Sequence, residues 1–409
     1  MNIARYLGWE DMPDCVRHNF YRDMLAGSLF GLFAGGFFPF LAPFFRQCGA
    51  GNLEISLIFA APCIGMLFCP AWAHICKKKH PVRVIRWADS LSRAVLLFLP
   101  LFPDVHGMVW LTFVYFISST FSAPVYSTAM QVVYPAALRG RCMGMVRLAV
   151  MICNLFSSWA MGWLTAYLKP AQIFALFSLF GVLSAQAFGG MRIKDAPDAG
   201  GEEKAGADVR YILRKDRKYA YFLFSMMIFG VGSMVAGPLY VYYQVDVFRI
   251  SGALLSRLAA IGAFFSLIFY YLWGRLSERK NALPLMILIL ILMSAAGFIY
   301  IFSPGAALMA AAAAMGGAGA AGFDLIGFLL ILEFAGDRNA APYMSLNMVA
   351  MGIRGTVCPF IGSLLHRLWG LQAALAISLG FMLAGAAMMS ALMKRTTAGH
   401  LERGRAVGR

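Results

Sequence analysis

Arg192 to Lys218, RIKDAPDAGGEEKAGADVRYILRKDRK, is the one long polar run in this chain of 409 residues. The run is rich in charge, glycine and alanine, and few of its side chains could pack a core. It lies close to the middle of the chain, and the segments on its two sides resemble each other. We therefore predict that it is a linker between two related halves.

Two pairs of segments carry this internal repeat. Pro39 in GGFFPFLAPFF corresponds to Pro238 in SMVAGPLYVYY, at an offset of 238 − 39 = 199 residues. Met143–Leu164, MGMVRLAVMICNLFSSWAMGWL, resembles Met344–Leu365, MSLNMVAMGIRGTVCPFIGSLL, at an offset of 344 − 143 = 201 residues. The two halves are thus interpreted as diverged copies of one unit.

The composition indicates a membrane protein, with 60% apolar residues, 13% charged residues and a mean hydropathy of +0.70. A helix that crosses a bilayer needs about 20 mostly apolar residues. We predict an all-α integral membrane protein with twelve transmembrane helices in two pseudo-symmetric six-helix bundles. The predicted spans are 23–45, 54–76, 84–103, 108–134, 143–167, 171–190, 219–243, 254–274, 282–303, 306–334, 342–365 and 370–393.

Most of the 35 lysines and arginines fall on one side of this topology. By the positive-inside rule that side is cytoplasmic, and it holds both termini and the linker. The N-terminal segment has no apolar core of the kind a cleavable signal needs, so we interpret it as a cytoplasmic lead. The predicted segments are a lead at 1–22, bundles at 23–190 and 219–393, a linker at 191–218 and a basic tail at 394–409. The predicted location is the inner (plasma) membrane.

The net charge of +16 is spread over every cytoplasmic loop and is not gathered on one face with aromatic residues between the charges. Membrane topology and contact with anionic lipids account for it, and we predict no nucleic-acid partner. The eight cysteines form no CxxC pair, and the sequence contains no phosphate-binding loop and no Ser-His-Asp set. We predict that the protein is not an enzyme and has no metal site and no cofactor.

Two cytoplasmic loops carry a resemblance to a known family. GRLSER, from Gly274 through Glu278 to Arg279, is similar to the G-x-x-x-D-R-x-G-R loop motif of the major facilitator superfamily, with glutamate in place of aspartate. LRGRCMG, which contains Arg139 and Arg141, also resembles a stretch of that family. The equivalent loop of the first half, AWAHICKKKHPVR, keeps the basic run without the acidic residue. The family's glycine-proline antiporter signature in span five and its R-x-x-Q-G motif in span four are missing.

The resemblance implies alternating access by two six-helix bundles around a site near the middle of the bilayer. In this family spans one, four, seven and ten line the cavity. On that basis Tyr126 and Gln131 of span four and Tyr240 of span seven are candidates for solute binding, although such tyrosines also occur in interfacial belts and in cores. The residues expected in the gating loops are Gly274, Glu278, Arg279, Arg139 and Arg141.

Ionisable residues inside the spans are the other candidates, because a charge at the bilayer centre costs at least about 2.5–3.5 kcal/mol. Asp89 and Arg93 are four residues apart on one helix, a spacing typical of a structural ion pair. Asp324 and Arg354 lie at similar depths in spans ten and eleven, either as a static pair or as a working centre for solute or proton. Asn154 of span five is the repeat partner of Arg354 at an offset of 200.

The sequence therefore predicts a transmembrane transporter that moves a small solute, with protons as a candidate coupling ion and lipids as its surroundings. Two alternatives remain open at this point. One is a transporter-like sensor or receptor that signals through the linker or the tail. The other is a lipid flippase of the same fold.

Overall fold

The computed structural model describes residues 12–76, 79–192, 214, 216–278, 281–302, 305–335 and 341–407. Within these ranges every regular element is a helix. The helices up to residue 192 are α1 Asp14–Gln47, α2 Asn52–Leu67, α3 Cys69–Cys76, α4 Pro81–Val95, α5 Val105–Ser119, α6 Ala123–Val133, α7 Ala136–Leu164 and α8 Pro170–Gly189. Those from residue 217 onward are α9 Arg217–Tyr242, α10 Gly252–Ser277, α11 Ala282–Ile301, α12 Ala306–Ala335, α13 Ala341–Trp369 and α14 Leu371–Val407.

The described residues divide into two compact units. Unit 1 contains α1 to α8 together with Ile250–Ala263, which includes the first part of α10. Unit 2 contains α9, the rest of α10 from Phe264 onward, and α11 to α14. The part of α10 in unit 1 is held by a hydrogen bond in which Ser256 Oγ donates to the carbonyl oxygen of Ser158, at 2.8 Å.

Ten helical segments among the described residues are long and apolar enough to cross a membrane, and α2 is a shorter apolar helix. The predicted third span is α4 followed by a 3₁₀ segment at Leu96–Leu101. With α2 and this span, the pattern fits the twelve predicted crossings.

Three predicted spans are less regular than the sequence analysis expected. The second is interrupted at Phe68, between α2 and α3, because Pro70 has no N–H with which to continue the helical ladder of α2. The third contains Pro100 in its 3₁₀ end. The fourth is split by a 3₁₀ turn at Thr120–Ser122 just before Pro124, so α5 and α6 together form one crossing.

Helix α1 is the central helix of unit 1 and packs against α7 and α8. Glycines at every fourth position bring its backbone close to α7: a Cβ on Gly31 would clash with the carbonyl oxygen of Val150, and one on Gly35 with that of Asn154. Ser158 of α7 donates to the carbonyl oxygen of Gly35, at 2.9 Å. Small residues and serine hydroxyls are typical of tight packing between membrane helices.

Unit 2 repeats this arrangement around α9, which packs against α13 and α14. A Cβ on Gly362 of α13 would clash with the carbonyl oxygen of Val235 of α9, and one on Gly232 of α9 with that of Ser378 of α14. Ser378 Oγ in turn donates to the carbonyl oxygen of Gly232, at 2.9 Å. The first helix of each half thus packs against the fifth and sixth spans of its own half, as expected for a repeat.

Candidate functional site

Unit 1 contains a cavity of about 370 Å³ that is lined by charged, polar and aromatic side chains from five helices. Its ionisable residues are Asp23 of α1, Asp89 and Arg93 of α4, and Arg147 of α7. The remaining lining residues are Ala26, Gly27, Phe30, Ile85, Tyr126, Met143, Val146, Val150, Ser184, Ala185 and Phe188.

The charged residues of the cavity lie at similar distances from the ends of their helices. Asp23, Asp89 and Arg147 are nine, eight and eleven residues from the first residues of α1, α4 and α7. At 1.5 Å per residue these distances are about 12–17 Å along the helix axes. Consecutive spans alternate in direction in the predicted topology, so α1, α4 and α7, as spans one, three and five, begin on the same side. The predicted topology thus places the three charges at a similar depth.

Asp89 and Arg93 form an ion pair that is held on several sides. Arg93 Nη2 lies 2.7 Å from Asp89 Oδ2, and Arg93 Nη1 donates to the carbonyl oxygen of Gly181 of α8 at 2.8 Å. The other oxygen of Asp89 accepts the hydroxyl of Ser122, at 2.5 Å. The guanidinium also stacks over the ring of Phe30, with 5.1 Å between its central carbon and the ring centroid. Buried charges are tolerated when they are paired and hydrogen-bonded in this way.

Asp23 is the most deeply buried carboxylate of the cavity, with 3% of its surface exposed. Its Oδ2 accepts a hydrogen bond from the hydroxyl of Tyr134, at 2.8 Å. Tyr134 follows α6 directly and is itself fully buried, and its backbone carbonyl accepts from Arg139 Nη2 at 3.2 Å. The start of α1 and the α6–α7 junction are therefore joined through one carboxylate.

Aromatic rings supply much of the remaining wall. The ring of Tyr126 lies 6.1 Å from that of Phe188, and Phe30 lies beneath the Arg93 guanidinium. Tyr126 is within electrostatic range of both Asp23 and Arg147. The cavity thus combines charges of both signs with apolar ring surface, the mixture typical of sites that bind small organic molecules.

The structure places three of the residues singled out by sequence in this cavity: Tyr126, Asp89 and Arg93. The predicted partners Asp324 and Arg354 belong to unit 2. Asp324 is exposed on α12, whereas Arg354 is buried on α13 with 6% exposure, and its guanidinium donates to the carbonyl oxygen of Met226 of α9. Their proposed cooperation stays a prediction.

The other candidates for solute binding lie elsewhere. Asn154 is half-buried on α7, and its backbone carbonyl packs against Gly35. In unit 2 the ring of Tyr240 lies 4.5 Å from the ring of Tyr300, tilted by 39°, close to a π-helical turn at Tyr243–Val247. The backbone of Gln131 belongs to α6, but its side chain lies outside the described part of the chain.

The predicted gating residues are only partly described. Gly274 lies near the end of α10, and Glu278 is exposed in the turn that follows. Arg279 lies outside the described residues. In unit 1, Arg139 contacts Tyr134, as given above, and Arg141 is exposed on the first turns of α7. Their gating role stays a prediction.

The sequence analysis singled out neither Asp23 nor Arg147 as a candidate site residue. The predicted span one begins at Asp23, whereas helix α1 begins nine residues earlier, at Asp14. A helical pattern through this region would have found it, because Val16, Phe20, Asp23 and Gly27 recur at intervals of three and four residues and are all buried. Where the chain is described, no group of three or more His, Cys, Asp or Glu side chains could hold a metal ion.

Comparisons with known proteins agree with this fold. Residues 222–407 match the sequence model of the Major Facilitator Superfamily. No curated protein matches the sequence.

Solved structures extend the likeness to nearly the whole chain. A mutant form of the nucleoside transporter NupG is similar with a TM-score of 0.73 and 13% identity, over 93% of this chain and 100% of that chain. The D-xylose-proton symporter gives 0.67 and 14% identity, over 92% and 96% of the two chains. A bacterial homolog of the human lysosomal transporter Spinster gives 0.67 and 12% identity, over 94% and 98%.

These findings define the fold. The chain is a multi-pass membrane protein with the fold of Major Facilitator Superfamily transporters, and its second half matches that superfamily in sequence as well. The family resemblance and the all-α transporter fold predicted from sequence are confirmed.

Proposed function

We propose that this chain moves a small polar solute across the membrane by alternating access and that the cavity of unit 1 forms part of its solute site. The observation that carries the proposal is the gathering of four ionisable side chains around one cavity inside an apolar, membrane-spanning unit. Each intramembrane charge is costly, and such residues are commonly kept for solute or ion pathways.

The solved structures similar to this chain include transporters of small polar solutes, which supports a solute of that kind here. One is a transporter of a nucleoside and another is a symporter of D-xylose and protons. Both solutes are small molecules rich in hydrogen-bonding groups. A cavity with carboxylates, guanidinium groups and a tyrosine hydroxyl offers suitable partners for a solute of that kind.

Coupling to protons is the second part of the proposal. Asp324 and Arg354 are proposed to act together, with Asp324 carrying the proton and a contact between the two side chains formed and broken during the transport cycle. The turn that contains Glu278 and the basic residues Arg139 and Arg141 are proposed to contribute to gating on the cytoplasmic side. The proposed location is the inner (plasma) membrane with both termini in the cytoplasm, in accord with the positive-inside rule.

The test is uptake by the full-length chain reconstituted into proteoliposomes. Vesicles are incubated with a mixture of cell metabolites under an imposed pH gradient, and the solutes they retain are identified by mass spectrometry. We expect at least one small polar solute to be retained well above the level of protein-free vesicles. Retention no higher than in protein-free vesicles for every solute would contradict a transport function.

The same vesicles test proton coupling through Asp324→Asn. We expect this variant to lose uphill accumulation and keep downhill exchange, because the carboxyl that carries the proton is gone. Glu333→Gln is the matched control, since Glu333 is an exposed carboxylate on the same helix, and it should accumulate solute like the wild type. Unchanged accumulation by Asp324→Asn would end the proposed proton role.

A further inference from the structure

The four ionisable groups of the unit 1 cavity differ in their surroundings. Asp89 and Arg93 bind each other, and both are further satisfied by protein groups, namely the Ser122 hydroxyl and the Gly181 carbonyl. This pair is complete without a solute. Asp23 and Arg147 lie on different helices, α1 and α7, and both line the cavity.

Asp23 has spare capacity as an acceptor. A carboxylate has about four lone-pair positions on its two oxygens. The hydrogen bond from Tyr134 occupies one position on Oδ2, and within the described part of the chain it is the one hydrogen bond that the Asp23 carboxylate accepts. A carboxylate that is 97% buried, lines a cavity and accepts this single side-chain hydrogen bond is a suitable partner for a cationic donor.

Arg147 supplies the opposite charge in the same chamber. It lines the cavity from α7 and is exposed, and both it and Asp23 act electrostatically on Tyr126. The four lining charges, two negative and two positive, sum to zero. A solute with a net charge would leave this neutral site with an unbalanced charge inside an apolar unit, whereas a solute with one charge of each sign would not.

The aromatic wall suits the same kind of solute. Phe30, Tyr126 and Phe188 line the cavity, and ring faces attract an ammonium group through cation–π contact. They also cover the apolar part of a solute between its two charged ends. Asp23 and the rings offer contacts to a cationic group, and Arg147 offers a contact to an anionic group.

We propose that this cavity selects small zwitterionic solutes, with an ammonium group on Asp23 and a carboxylate on Arg147. The inference rests on the proposed function, because it names the class of solute bound at the proposed site. It requires no change in the Asp89–Arg93 pair.

The test uses matched sets of four compounds and the purified full-length chain. Each set comprises an amino acid, its amide, its N-acetyl derivative and its N-acetyl amide, which are zwitterion, cation, anion and neutral compound on one carbon skeleton. Sets built on alanine, phenylalanine and tryptophan cover three sizes. Binding is measured from the ligand-induced rise in thermal stability, which increases with the ratio of ligand concentration to Kd.

We expect the zwitterion of at least one set to bind at least tenfold more tightly than each of its three derivatives. The inference is overturned if no amino acid stabilises the wild type at millimolar concentration, or if a cation, an anion or the neutral compound binds as tightly as the zwitterion of every set. This comparison needs the wild type alone, so it decides the class of solute even if a variant fails to fold.

Variants assign the two ends of the solute. Asp23→Asn should bind an amino acid and its N-acetyl derivative equally well, since the partner of the ammonium group is gone. Arg147→Gln should likewise bind an amino acid and its amide equally well, whereas Arg147→Lys should keep a preference for the amino acid. Asp14→Asn is the control on α1, because that side chain is 99% exposed and lies outside the cavity, and it should behave as the wild type. A folded Asp23→Asn protein that keeps the full preference for the ammonium group would overturn the assignment.

Uptake measurements separate this inference from the proposed function. Amino acids that bind with the expected preference without entering proteoliposomes would contradict transport and leave the binding class in place. Uptake of a neutral or singly charged solute that amino acids fail to inhibit would support transport and overturn the zwitterion inference.

Discussion

At the scale of single residues, the Asp89–Arg93 pair shows how a local spacing becomes a tertiary contact. The two side chains are four positions apart on α4 and would meet on an isolated helix. In the folded unit their contact also includes the Gly181 carbonyl and the Ser122 hydroxyl, and the two side chains are 11% and 14% exposed. The pair is therefore part of the packing of α4 against α8 as well as a wall of the cavity.

Removing one partner of this pair should cost more than removing both. We expect Asp89→Asn to lower the free energy of unfolding by about 3–5 kcal/mol, because it leaves the Arg93 guanidinium without its carboxylate. The double variant Asp89→Asn with Arg93→Gln should recover most of that loss. The measurement is thermal or denaturant unfolding of the purified protein.

Asp104→Asn is the control for this prediction. Asp104 is an exposed carboxylate that caps α5 by accepting the N–H of Gly107, and an asparagine oxygen can accept the same bond, so this substitution should cost less than about 1 kcal/mol. If Asp89→Asn destabilised the protein no more than Asp104→Asn, the pair would contribute nothing beyond a surface interaction. Loss of solute binding in a stable double variant would show that the pair also contributes to the site.

At the scale of helices, the contact between α1 and α7 depends on a column of glycines. Gly27, Gly31 and Gly35 present bare backbone to α7, and at Gly31 and Gly35 a methyl group would meet carbonyl oxygens of that helix. Backbone atoms cannot move aside as the end of a flexible side chain can. The contact is therefore sensitive to single methyl groups, although alanine by itself favours a helix.

Gly35→Ala should destabilise the protein by about 1–3 kcal/mol, the range typical of overpacking. Gly140→Ala is the matched control, because Gly140 lies on α7 and a Cβ there would have no other atom within 4 Å. That substitution should be neutral or stabilise by up to about 1 kcal/mol, since alanine is the better helix former. Thermal unfolding of the two variants tests the contact, and equal effects would mean that the helices move apart at little cost.

At the scale of the whole chain, the repeat and the apolar spans predict a topology that labelling can test. The variant series starts from a chain whose eight native cysteines are replaced, and single cysteines are then placed at Asn52 and Gly200. Asn52 begins α2, and Gly200 belongs to the linker, outside the described residues. An impermeant thiol reagent added to intact cells should label position 52 and reach position 200 only after the membrane is opened. Labelling of both positions from the same side would contradict the twelve-span arrangement.

The two halves share their helix packing but differ in where they place charge. In unit 1 the side chains of Asp23, Asp89, Arg93 and Arg147 line a cavity. In unit 2 the Arg354 guanidinium instead lies against Gly230 and the Met226 carbonyl of α9. Asn154 and Arg354 are repeat partners, yet Asn154 contributes its backbone to a helix contact and Arg354 contributes a buried guanidinium. The repeat conserves the framework, and the chemistry of each half has diverged.

The sequence by itself predicted the membrane class and the proximity of Asp89 to Arg93, which the structure shows, and a linker between two related halves, which stays a prediction. Each of these depends on composition or on spacing along one helix, which a reader of the sequence can measure directly. Only the tertiary structure decided that Asp23 lines the cavity of unit 1. Its partner Tyr134 is 111 positions away, and its cavity is assembled from five helices. Contacts of that kind arise from the packing of distant segments, and no local spacing in the chain encodes them.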